Sequence, residues 1–271
     1  MPVEIRNFEG HLLYRSERAR ELREALAEAV DERIDLAGAA LENADLRSAD
    51  LERARLDGAR MANAMLRHAN LEEASLAGAD LRGARLDGAN LEEAVLEGAN
   101  LTDVNLRGSN LEDALLARAN LTNAALDGTN LEHADLRDAT LERANVSRSN
   151  LEHANLRGVK AHAASFASAN LEKVDLRDAD LTAINASSSN LERADLRGAK
   201  LVDAVLAGSN LERADLRGAD LTNADLTESN LERCHMHDTR IEGTRFEGSN
   251  LDGVRGLSRD RSPPSSGGPY R

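Results

Sequence analysis

Apolar residues return at every fifth position from Leu36 to Leu251, without an insertion or deletion. The register holds for 44 consecutive units, and 36 of the 44 central residues are leucine. Asn190 to Ser209, NLERADLRGAKLVDAVLAGS, shows four of them, centred on Leu191, Leu196, Leu201 and Leu206. A period of five suits neither regular element. On a helix, five residues advance the chain by about 500°, so the leucines would visit every face. On a continuous strand an odd step sends alternate leucines to opposite sides. The leucines stay inside if the chain turns once per unit. Two residues before each centre the chain carries Ala in 29 of 44 units, with Ser, Thr, Val, Ile or Cys in the rest. A separation of two puts both side chains on one side of a short strand. The remaining two residues make the corner, and 15 of the 19 glycines stand there, two residues after a centre. Glycine adopts corner backbone angles at little cost.

A second period of twenty overlies the first. Asn recurs from Asn70 to Asn250 and Glu from Glu52 to Glu232, each every twenty residues. Four units per lap predict a four-sided coil of about 11 laps. Laps pairing at roughly 4.8 Å make a rod on the order of 50 Å long.

The tandem A-[DN]-L-x-x pattern, as in Ala49-Asp50-Leu51, Ala69-Asn70-Leu71 and Ala219-Asp220-Leu221, resembles the pentapeptide repeat family over residues 36–251. The resemblance implies an all-β fold, a right-handed quadrilateral parallel β-helix. Spacing reaches the same square coil, without its hand.

The expected organisation has three parts. Residues 1–34 form a β-hairpin and α-helix cap, 35–257 the β-helix, and 258–271 a disordered tail. Val3-Glu4-Ile5 and Leu12-Leu13-Tyr14 read as strands about a turn at Asn7 to Gly10. A helix from about Glu17 to Glu32 follows, with Ser16 as its cap and an apolar stripe of Leu22, Leu26, Ala29 and Val30. Together they are placed to plug the open first lap. The tail RDRSPPSSGGPYR is rich in Pro, Gly and Ser. With no C-terminal helix in view, the last lap either pairs tail-to-tail with a second copy or is covered by residues 251–258 in a monomer.

Inside the rod, Ala161 and Ala186 replace leucine, while Phe166, Val174 and Ile184 are oversized for their slots. Local compensation of volume is the expectation, rather than a binding pocket. Cys234, the only cysteine, takes an inward position and reads as a buried structural thiol.

The net charge is −14. This disfavours direct nucleic-acid binding, because phosphates are repelled. In the C-terminal half the charge is balanced: Lys173, Arg193, Arg213 and Arg233 stand beside the glutamates, and Arg137, Arg157, Arg177, Arg197 and Arg217 form a column on the adjoining face. In the N-terminal half Glu73, Glu93 and Asp113 stand beside the glutamates instead, and Glu97 occupies the later arginine row. Glu52, Glu72, Glu73, Glu92, Glu93, Glu97, Glu112 and Asp113 are therefore the candidate protein-docking surface, against a merely solvated face.

Catalysis finds no motif: there is no phosphate loop, nucleophile elbow or zinc spacing. Carboxylates on a convex rod are not desolvated and tuned. The pairs His133/His153 and His235/His237 read as exposed turn residues. No cofactor and no metal are expected. The N-terminus lacks a long apolar run, so no signal peptide or membrane segment is expected, and a cytoplasmic bacterial protein is the default. The sequence reading is a non-enzymatic protein-interaction scaffold. The family resemblance supplies the alternative, a DNA-mimicking regulator of DNA gyrase or topoisomerase IV linked to quinolone or peptide-antibiotic resistance.

Overall fold

The computed structural model describes residues 2–257. The tail expected at 258–271 lies outside them. Every fifth residue from Asp35 to His235 is bridged in parallel to the residue twenty positions on. Laps therefore stack unit on unit: Leu191 N–H donates to Asn210 O at 2.6 Å, and Asn210 N–H returns to Ser189 O at 2.9 Å. Centres close their own corners, as Leu191 does when its carbonyl accepts from Ala194 N–H at 3.0 Å. The leucine column and the small residues two positions earlier are almost wholly buried and form one continuous core.

The corner rule is stricter than the glycines suggest. Every residue two past a centre has positive φ, from 53° at Ser48 to 74° at Gly248. In 29 of the 44 units that residue is not glycine. Left-handed backbone costs an L-residue roughly 1–2 kcal/mol. From Gly38 to Arg233 each corner N–H donates to the next lap, as Glu93 N does to Glu112 O at 2.9 Å, and this bonding holds the conformation below the last lap.

Buried polar side chains serve the same backbone. Ser149 Oγ donates to Leu126 O at 2.6 Å, Thr239 Oγ1 to Leu216 O at 2.7 Å and Cys234 Sγ to Leu211 O at 2.9 Å. These carbonyls lie at centres one lap below, so a hydroxyl in the small slot gains a partner without leaving the core.

Over the first lap lie β1 (Val3–Arg6), β2 (Leu12–Ser16) and α1 (Leu22–Asp31). The strands pair antiparallel, and Asn7 Oδ1 accepts from Glu9 N–H and His11 N–H across their turn. The hairpin binds the lap directly: Ala40 N–H donates to Arg6 O at 2.9 Å and Phe8 N–H to Gly38 O at 3.1 Å. Arg23 of α1 donates to the carbonyl of Arg47 at 3.0 Å. Ile5, Ala25, Leu26 and Ala29 are buried in the same core as Leu36 and Leu41.

The helix starts five residues later than the expected Glu17, at the first residue of the apolar stripe, and Ser16 is not its cap. The buried Ser16 Oγ accepts from Arg18 N–H and Ala19 N–H and donates to Glu28. Those bonds hold residues 17–21 in a bend that tucks Ala19 inward, and Glu21 opens the helix without a side-chain cap.

At the other end, residues 251–256 do not fold over the last lap as a lid. They are its final side: Met236 N–H donates to Arg255 O at 2.7 Å, and Arg255 N–H to Cys234 O at 2.9 Å.

In the middle of the rod Phe166 is buried, and the volume compensation is almost complete. An apolar void of about 10 Å³ remains between Phe166, Ile184 and Ala186 and the leucines around them. Ala161 does not line it. A void of this size is at the threshold for one water and has no polar partner for it.

Candidate functional site

The candidate residues meet along one corner of the rod. At each lap this corner shows a half-buried glutamate and, next to it, a residue with positive φ that is exposed except at the half-buried Lys173. The exposed column reads Arg53, Glu73, Glu93, Asp113, His133, His153, Lys173, Arg193, Arg213, Arg233 from one end to the other. Successive members are close neighbours: the rings of His133 and His153 stack with centroids 5.1 Å apart.

The glutamates are held by a ladder of amides that the sequence reading left without a role. Asn110 Nδ2 donates to Asn90 Oδ1 at 3.3 Å and to Glu92 Oε2 at 3.1 Å, and Asn90 Oδ1 accepts from Glu92 N–H. The same set recurs at Asn90 with Glu72 and at Asn130 with Glu112. The period of twenty is thus a structural requirement of this face. Neutral amide donors let like carboxylates sit one lap apart without a cation.

The eight candidate carboxylates fall into two groups. Arg53 forks onto Glu73 at 2.8 and 2.6 Å and reaches Glu52 at 2.8 Å. Hydrogen bonding to that guanidinium holds the Glu73 carboxyl below its ordinary range. Arg118 meets Glu97 at 3.2 Å on the next corner. Glu72, Glu92, Glu93, Glu112 and Asp113 have no ion pair among the described residues. They form one contiguous unneutralised strip, and Glu93 and Asp113 are its exposed tips.

Beside the strip lie apolar residues that the sequence reading missed. Val95 and Leu115 are bridged neighbours, two residues past Glu93 and Asp113, and Leu115 is 38% exposed. Elsewhere this outward column carries Asp135, Asn155, Asp175, Asp195 and Asp215. The signal was available: two aliphatic side chains at positions that face water.

In the C-terminal half the arginines of the adjoining face pair within the rod. Arg137, Arg177, Arg197 and Arg217 fold back onto the aspartate two residues earlier in their own unit, with Arg177 Nε 2.8 Å from Asp175. Hydrogen bonds from these guanidinium groups hold Asp135 and Asp175 below the usual carboxylate range. Lys173 lies 2.9 Å from Glu172 and 3.1 Å from Glu152. Among the described residues no cluster of three or more His, Cys, Asp or Glu side chains is placed to hold a metal. No helix among them is long and apolar enough to cross a membrane.

A family model described as pentapeptide repeats matches in 8 copies, over residues 34–72, 74–113, 114–152, 147–182, 189–227 and 214–253. HetL, a pentapeptide repeat protein involved in heterocyst differentiation regulation from the cyanobacterium Nostoc sp. strain PCC 7120, is 31% identical. Its structure matches with a TM-score of 0.65, covering 76% of this chain and 90% of that one. QnrB1, a plasmid-mediated fluoroquinolone resistance protein, is 19% identical over 62% of this chain and 84% of its own, with a TM-score of 0.33. A pentapeptide repeat protein from the Arabidopsis thaliana thylakoid lumen is 28% identical over 50% of this chain and 73% of its own, with a TM-score of 0.19. No curated protein sequence matches the chain.

Proposed function

The chain belongs to the pentapeptide repeat family, with its right-handed quadrilateral β-helix, and on that premise we propose that it is a non-enzymatic scaffold that docks another protein. The carrying observation is the strip of Glu72, Glu92, Glu93, Glu112 and Asp113 beside exposed Leu115. Elsewhere along this corner, from Glu152 to Glu232, a basic side chain stands beside the glutamates. Carboxylates held in register by an amide ladder are preorganised, so a basic partner meets them with little side-chain ordering left to do. The aliphatic pair supplies a dry contact that charge alone lacks. The matching partner surface carries Lys or Arg over two to three laps and an apolar side chain next to them.

The non-enzymatic reading rests on the same electrostatics. A general acid or base needs a carboxyl raised towards neutrality. Asp45, Glu73, Asp80, Asp135 and Asp175 are instead held low by arginine hydrogen bonds. Affinity capture with the wild-type chain, Glu93→Lys/Asp113→Lys and Leu115→Ser tests the site. A partner kept by the wild type and lost by both variants, with unchanged circular dichroism, supports it. Equal recovery by all three removes it.

The net charge of −14 favours a second reading, a duplex-like regulator of DNA gyrase or topoisomerase IV. A supercoiling assay separates the two. Inhibition or protection of gyrase that Glu93→Lys/Asp113→Lys abolishes supports this reading, and no effect at micromolar protein sets it aside.

A further inference from the structure

From Glu73 to Arg233 the corner column reverses sign once; Arg53, one lap ahead of Glu73, is taken up by Glu52 and Glu73. Glu73, Glu93 and Asp113 precede the stacked His133 and His153, and Lys173, Arg193 and Arg213 follow them. The members are one lap apart, and the backbone ladder fixes that spacing on every lap. A two-fold axis beside the histidine pair, perpendicular to the rod, therefore sets the acidic laps of one copy against the basic laps of another, twice. This is the self-complementarity that an isologous contact requires.

We propose that this corner is a self-association surface, on which a second copy of the chain lies antiparallel, acidic laps against basic laps. The basic half keeps donors for the purpose. Arg193 and Arg213 stand 3.6 Å from the glutamate of their own lap, with side chains 49% and 40% exposed. A guanidinium has five N–H donors, and one carboxylate leaves an edge free. The acidic half keeps acceptors: Glu93 and Asp113 are exposed and meet no cation among the described residues. Parallel or shifted arrangements that bring acid onto acid are penalised by the same charges. The contact uses the long side of the rod and leaves both ends out of it. It does not depend on the scaffold reading, although a second copy covers Glu93 and Asp113 and so competes with a basic partner.

Two variants test the idea without a choice of register. Glu93→Lys/Asp113→Lys puts a basic side chain beside Glu92 and Glu112, as in the C-terminal half, and leaves Glu73 the one acidic member of the column. Lys173→Glu/Arg193→Glu/Arg213→Glu makes both halves acidic. Sedimentation and small-angle scattering are run on the full chain, alone and mixed, at about 0.05 M and about 0.5 M salt. The wild type is expected to form a concentration-dependent dimer, weakened by salt, whose longest dimension stays close to that of one rod. Each variant alone is expected to lose affinity on the order of tenfold or more, since every changed residue enters the contact twice. The equimolar mixture is expected to associate more tightly than the wild type. A wild type that stays monomeric overturns the proposal. So does a dimer of doubled length, or a pair of variants that do not associate when mixed. All of these readouts use the chain alone, so they stand apart from any failure to find a protein partner.

Discussion

The unit Ile184-Asn185-Ala186 inverts the usual order, with a large residue in the small slot and a small one at the centre. Both are buried, Ile184 at 4% and Ala186 at 0% exposure, and both line the void of about 10 Å³. At roughly 24 cal/mol per Å³ that void costs only about 0.2 kcal/mol, so the inversion is nearly neutral as it stands. Breaking it on one side is costly. Ile184→Ala removes three buried carbons beside an existing void and is expected to cost roughly 2–5 kcal/mol. Ala186→Leu adds three carbons where almost no space exists, at a cost of roughly 1–3 kcal/mol. The double variant restores the regular small–x–large order at equal volume and is expected to cost under about 1.5 kcal/mol. The singles sum to at least about 3 kcal/mol, which leaves a coupling of at least about 1.5 kcal/mol. Urea unfolding gives the cycle, and amide exchange at Leu191 and Leu196 localises it, because a stacked rod opens lap by lap. Additivity within about 0.5 kcal/mol would show that the two slots do not share one volume.

Phe166→Ala empties the same region from below and is expected to cost roughly 3–5 kcal/mol; a loss under about 1 kcal/mol in urea unfolding contradicts the packing described. Asn150→Ala removes the acceptor of Asn170 Nδ2 at 2.9 Å and of Glu152 N–H at 3.3 Å. That change is expected to cost roughly 1–3 kcal/mol and to raise exchange at the Glu152 amide, and an unchanged midpoint would refute the ladder's role. The Cys234 thiol is pushed up to about 12 by burial, so the native chain should resist alkylation at about pH 8 until it unfolds. Rapid stoichiometric labelling of the folded chain would contradict that. Asp135 and Asp175 are held low in the folded state. Their contribution to stability is complete above the unfolded carboxyl value of about 4 and is lost as pH falls through the folded values. Urea midpoints should therefore decline below about pH 4. The Asp175 carboxyl resonance in Arg177→Gln should titrate nearer the ordinary range than in the wild type.

The square coil was legible because the period is incompatible with both regular elements, so only a turning chain keeps Leu36 to Leu251 on one side. The corner conformation was legible only where glycine marked it. At Ala163 and Ala183 nothing in the residue announces φ of 55° and 57°; the lap-to-lap bonding imposes it from outside the unit. The hairpin and helix were visible as patterns. The bend at residues 17–21 was not, because it depends on a buried Ser16 hydroxyl that prefers two local N–H groups to a helix start.

The surface was harder to read than the core, for a reason of length scale. Core positions answer to one rule per unit. A surface charge answers to whichever neighbour its side chain reaches, and on this lattice there are two kinds. Arg177 bonds within its own unit, to Asp175. Arg53 bonds one lap away, to Glu73. Sequence spacing alone does not choose between two residues and twenty. Once the choice is known, the acidic strip shrinks from eight carboxylates to the five without an ion pair. A single column then decides the character of the whole corner. The glutamates never change from Glu52 to Glu232, so attraction or repulsion at each lap is set by the one exposed residue beside them. Aspartate at 113, histidine at 133 and 153 and lysine at 173 are all compatible with the same positive-φ corner. The fold therefore leaves the sign of that column free, and its ordered reversal along the rod is information that packing does not require.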